Sequence, residues 1–148
     1  MVAIGSVIGL VLRLVISAAV ATVLAAMLHT QFVIGAMQGI GMSVPGSERL
    51  AWTAHDILGM GPAYGVVMLA GFLLAFLVAA AVLRLVPGLR AIGYPLAGAA
   101  AVATALLLME TQFNGTMPIA GARSGLGFAA QVLAGAAGGF VFGALGRR

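Results

Sequence analysis

Four long apolar stretches, at residues 4–28, 64–83, 91–109 and 125–145, constrain this chain more than any other feature. A helix that crosses roughly 30 Å of hydrocarbon needs about 20 apolar residues, and it satisfies its own backbone polar groups in a solvent that offers no hydrogen bonds. The expectation is therefore an all-α polytopic membrane protein. It is a four-transmembrane-helix bundle forming a single membrane domain over residues 1–148. Composition agrees, since only 7% of the residues are charged and mean hydropathy is +1.20, too little polarity to cover a water-soluble domain.

The charges are seven arginines, two glutamates and one aspartate, with no lysine. A sequence pI near 11.3 would suit a nucleic-acid binder, but the arginines are mostly scattered singly, without an aromatic-basic patch, so no nucleic-acid partner is expected. They read instead as orientation marks. Arg84 and Arg90 flank the turn between the second and third spans, and Arg147 and Arg148 end the chain. The positive-inside rule then places both termini in the cytoplasm. Abundant Ala, Gly and Arg beside no lysine suggest a bacterial inner membrane.

The N-terminal stretch lacks a basic leader and carries Arg13 within its apolar run, so it is read as a retained helix and not as a signal peptide. Arg13 has three readings: it snorkels to the inner headgroups, the residues before it lie along the interface, or it is a buried functional group.

Small residues recur every four positions as Gly71, Ala75 and Ala79, as Ala97, Ala101 and Ala105, and as Gly135, Gly139 and Gly143. Such rows let helix backbones approach closely in lipid. The fourth span is small on a further face as well, through Ala134, Ala136, Ala137 and Gly138, which suggests surface left over for a second copy or another membrane protein.

The triplet Thr30-Gln31-Phe32, just past the first span, recurs as Thr111-Gln112-Phe113 just past the third, with His29 matching Glu110. The second and fourth spans align more weakly, bringing Arg84 onto Arg147 and Phe76 near Phe140. Two parallel hairpins around an axis along the membrane normal would produce this pattern, a candidate 2+2 repeat. The first half then carries an extra external cap, over about residues 39–59. In it Ser47 is expected to cap a short interfacial helix over 48–58, closed by Gly59. Glu48, Trp52, His55 and Asp56 fall on one side of that helix, and Leu50, Ala54, Ile57 and Leu58 on the other.

Every carboxylate and both histidines collect at this outer end. The candidate ligand-binding residues are His29, Gln31, Glu48, Trp52, His55, Asp56, Glu110, Gln112, Asn114 and Arg123, with Gln38 and Arg49 nearby. Under the repeat, His29 and Glu110 lie at matching depth and can meet. The plainer account is that they satisfy helix ends and mark the interface, with Trp52 in an aromatic belt. No cysteine exists to bind a metal, no spacing groups the histidines and acids as ligands, and no elbow positions a nucleophile, so no cofactor, metal or catalytic residue is assigned. Gln131 is the one intramembrane side chain that demands a partner.

Three functions remain. A non-enzymatic accessory or assembly subunit fits the small-residue faces best. An oligomeric small-solute or ion transporter or channel, and a small membrane enzyme acting on a lipid or quinone, are the alternatives. Small multidrug exporters, of similar size, want a carboxylate deep in the first helix, where this chain offers only Arg13.

Overall fold

The computed structural model describes residues 2–146, with backbone alone at 2–4 and at 90. Arg147 and Arg148, two of the orientation marks, lie outside the described residues. Five helices form: α1 (Val2–Gly39), α2 (Gly46–Gly59), α3 (Gly61–Leu85), α4 (Arg90–Gln112) and α5 (Gly125–Leu145). Of these, α1, α3, α4 and α5 are long and apolar enough to cross a membrane, and they make the expected four-helix bundle. In the bundle α1 and α4 each pack against both α3 and α5, so α1 stands across from α4.

The first span is much longer than hydropathy implied. α1 has 38 residues, about 57 Å at 1.5 Å per residue, nearly twice the roughly 30 Å of hydrocarbon. It does not stop near Leu28. Val33, Ile34, Ala36 and Met37 keep it helical to Gly39, where the Gly41 N–H donates to Gln38 O and the Met42 N–H to Met37 O, with Gly41 at φ 88°. That is a glycine-terminated Schellman cap.

α2 also departs from expectation. Its N-cap is Pro45 without a side-chain bond, so Ser47 does not cap it, and Gly59 does not end it in a left-handed turn. The chain stays helical through Met60, whose N–H donates to Asp56 O and whose carbonyl accepts from Tyr64. Pro62, without an N–H, marks the break into α3. α3 therefore continues from α2, and α2 runs antiparallel beside the C-terminal third of α1. Its inward row is Arg49, Trp52, Thr53, Asp56 and Ile57, while Glu48 and His55 face outward with Leu50 and Leu58. The expected grouping of Glu48 and His55 with Trp52 and Asp56 fails because the bundle meets α2 about a quarter-turn away from that side.

The packing of α5 explains its glycines. A Cβ on Gly98 of α4 would run into the Gly135 carbonyl, and one on Gly139 would run into the Tyr94 carbonyl, so α4 and α5 touch backbone to backbone. The other small face of α5 is occupied too: Gly138 lies under the Phe72 ring of α3 and Ala21 of α1. Of the residues expected to leave surface to spare, Ala134 and Gly138 are buried within the chain, while Ala136 and Ala137 are half-buried. The rows of α3 and α4 meet at Gly71 and Ala101, 3.6 Å from a Cβ built on the glycine, and border an apolar groove of about 990 Å³.

Aromatic rings fill the interior beside the small-residue rows. Phe76 packs on Phe72 at 4.8 Å and on Phe142 at 4.4 Å between ring centres, and meets Tyr94 edge-on at 5.7 Å. Phe142 and not Phe140 is its neighbour. Phe140 is 58% exposed while Phe76 is 4% exposed, so the weaker half of the repeat alignment has no counterpart in the packing.

Candidate functional site

The two ends of the bundle differ in chemistry. Arg13 and Arg84 line a common cavity at one end. The other carries the three acids, both histidines, Arg49 and Arg123.

At that second end the extension of α1 provides a wall against which α2 is pinned. The Thr30 hydroxyl, 1% exposed, donates to Asp56 Oδ2 at 2.6 Å, with Ala26 O as its alternative acceptor at 3.1 Å. One turn on, Gln31 Nε2 donates to Thr53 Oγ1 at 3.5 Å, and near the top Arg49 Nη2 donates to Gln38 Oε1 at 3.1 Å. These partners rise along α1 as they descend along α2, which fixes the antiparallel register. The Thr30–Asp56 bond is the strongest of the set, because a short hydrogen bond to a carboxylate stabilises by about 1.5–3 kcal/mol, whereas the exposed pairs add little. Arg49 Nε is buried without a partner.

His29 does not meet Glu110. Its Nδ1 accepts the Gly121 N–H at 3.1 Å, which leaves the ring proton on Nε2. Gly121 belongs to a short 3-10 turn (Ala120–Ala122) in the loop between α4 and α5, and that turn lies over α1. A Cβ on Gly121 would collide with the His29 backbone, so glycine is required for the approach. Glu110 sits half-buried near the end of α4, across the bundle, and makes no side-chain hydrogen bond or ion pair among the described residues. The pseudo-symmetric meeting fails because the loop occupies the space beside His29.

The remaining candidates are dispersed. Glu48 and His55 are exposed on the outward side of α2, Trp52 is half-buried, and Gln112 and Asn114 are exposed at the end of α4. Arg123 is exposed and ties the loop between α4 and α5 through Nε, which donates to Met117 O at 3.0 Å. The structure thus brings His29, Gln31, Asp56 and Trp52 to the α1–α2 side and leaves Glu110, Gln112 and Asn114 elsewhere. Among the described residues no three of His, Asp and Glu come within reach of one metal ion.

Thr53, Gly121 and Tyr64 carried no prior signal, and Thr30 stood out only as part of the repeated triplet. The Tyr64 hydroxyl lies 3.1 Å from Gln131 Oε1, to which it donates, and Gln131 Nε2 donates to Ala25 O at 2.9 Å. The partners that Gln131 demanded are therefore found in the core, where Gln131 is fully buried and Tyr64 is 5% exposed. What the α1–α2 contact does chemically is hold two helices together through side chains that bond one another, whereas Glu48, His55, Glu110, Gln112 and Asn114 make no side-chain hydrogen bond among the described residues. No protein-family model matches the chain, and no curated protein or solved structure matches it either.

Proposed function

We propose that this protein is a non-enzymatic membrane subunit that assists or stabilises a larger membrane assembly and meets its partner at the outer end. The observation that carries this reading is the pinning of α2 to α1 by Thr30, Gln31 and Gln38. A catalytic or transport site needs polar groups that converge on a cavity. Here the groups face each other, and α2 is held as a rigid pillar whose outward side presents Glu48, His55 and the apolar Leu50 and Leu58, each of these leucines 76% exposed. A plugged interior also favours a subunit over a channel, since Phe72, Phe76, Leu106 and Phe142 are buried across the centre of a single copy.

The orientation we propose is that of a multi-pass protein of a bacterial inner membrane with both termini cytoplasmic, supported by Arg84, Arg90, Arg147 and Arg148. A reporter fused after Arg148 is then active only in the cytoplasm, and periplasmic activity would overturn the topology. For function, the chain is purified from native membranes in mild detergent beside a Leu50→Glu/Leu58→Glu variant. The expected result is a stoichiometric partner, either another protein or a second copy, that the variant loses while its unfolding midpoint stays unchanged. Solute flux through liposomes holding this chain alone would instead establish the transporter reading. Turnover of a lipid or quinone by the purified protein would establish the enzyme.

A further inference from the structure

The end opposite the acids holds a cavity of about 430 Å³, enclosed by α1, α3 and the inner ends of α4 and α5. Its volume lies within the roughly 300–1,000 Å³ usual for small-ligand sites. Two chemistries meet in it. One wall is apolar, formed by Leu10, Leu73 and Leu77 with the rings of Phe76, Tyr94 and Phe142. The other carries Arg13, half-buried, and Arg84, exposed. Neither guanidinium makes a hydrogen bond or ion pair among the described residues. Among the described residues no carboxylate side chain lies at this end, since Glu48, Asp56 and Glu110 are all at the other.

Positive charge at a helix end needs no ligand by itself. Arg13 approaches Gly146 at the carboxyl end of α5, where the helix dipole favours a cation. Arg84, in the last turn of α3, gains from the dipole of its own helix in the same way. Neither role accounts for an apolar hollow lined by two arginines on neighbouring helices. We infer that this cavity binds an anionic phospholipid, with the phosphate between Arg13 and Arg84 and the upper acyl chain along Leu14, Leu73 and Leu77. The lining decides in favour of a lipid over free phosphate: a soluble anion would leave the leucine wall without an occupant, whereas an amphiphile satisfies both halves. Basic pockets between membrane helices recognise acidic headgroups through the same pairing.

Native mass spectrometry of the detergent-purified chain tests this, titrating phosphatidylglycerol against phosphatidylcholine of identical acyl chains. Each arginine near the surface favours an anionic lipid by an amount that makes the pair's preference roughly thirtyfold. The wild type should show that preference for phosphatidylglycerol. Arg13→Gln/Arg84→Gln should reduce it to below about twofold. Ala80→Phe, which keeps both charges and fills the cavity, should lose the bound lipid and remain folded by circular dichroism. Equal retention of the two lipids by the wild type overturns the inference. So does a preference that survives Ala80→Phe, because the arginines would then act as surface charge. Displacement of the lipid by inorganic phosphate at matched concentration would make the site one for a soluble anion, and the inference fails in that case too.

Discussion

The same three residues meet two different fates in this molecule. Thr30-Gln31-Phe32 lies inside a helix that continues for two more turns, with Thr30 buried and bonded to Asp56. Thr111-Gln112-Phe113 ends its helix: Thr111 is exposed and returns its hydroxyl to Leu108 O at 2.8 Å. The residues just after each triplet decide between these fates. Ile34 is buried and sustains α1, whereas Asn114 at φ 55° and Gly115 at φ 78° turn left-handed at once, and Gly115 N–H closes the end on Glu110 O at 2.9 Å. The hairpins built on these triplets differ in the same sense. In the first, side-chain hydrogen bonds hold α2 to an over-long α1. In the second, backbone rests on backbone between α4 and α5.

The largest test of that contrast falls on the second hairpin. Gly135→Leu drives a side chain into the Gly98 carbonyl and Val102, neither of which has room to give. A loss above about 3 kcal/mol is expected in denaturation from mixed micelles. Gly143→Ala, whose added methyl meets the Tyr94 ring at an ordinary 3.4 Å, serves as the near-neutral control. Wild-type stability in Gly135→Leu would mean that backbone contact is not what joins α4 to α5.

An intermediate effect is expected in the first hairpin. Thr30→Val and Asp56→Asn should each cost about 1–2 kcal/mol. The loss should appear as faster hydrogen exchange along α2, with the protection of α4 and α5 unchanged. If α2 exchanges at the wild-type rate in both variants, the pinning we describe does not hold it. The smallest effect belongs to the helix stop. Asn114→Ala should lower stability by about 1 kcal/mol because a Cβ without a polar group is disfavoured in the left-handed region, while Asn114→Gly should be neutral. Equal thermal midpoints for the two variants would remove the conformational basis of the stop.

The four spans were legible because hydropathy reports burial in lipid directly, and Gln131 announced its need for a partner. The C-terminal extension of α1 was not legible. His29, Gln31 and Gln38 interrupt the apolar run, so a hydropathy criterion ends the helix where its environment changes, although the backbone does not. The face of α2 was misjudged for a related reason. Its periodicity allowed several inward rows, and the choice was made by Thr30, Gln31 and Gln38 on a distant element. The pairing of His29 with Gly121 had no local signal, since a glycine in a loop reveals neither its neighbour nor the closeness of approach.

The bonds among Tyr64, Gln131 and Ala25 have a consequence for how the bundle is completed. A glycine-rich helix such as α5 is nearly as apolar on its lipid side as on its inner side, so turning it about its long axis changes little in solvation. A single amide that must reach a carbonyl on α1 and a hydroxyl on α3 selects one angle and one depth. Ala25 and Tyr64 offer the matching acceptor and donor on two helices earlier in the chain, so this one side chain on the last helix gives α1, α3 and α5 a common azimuth.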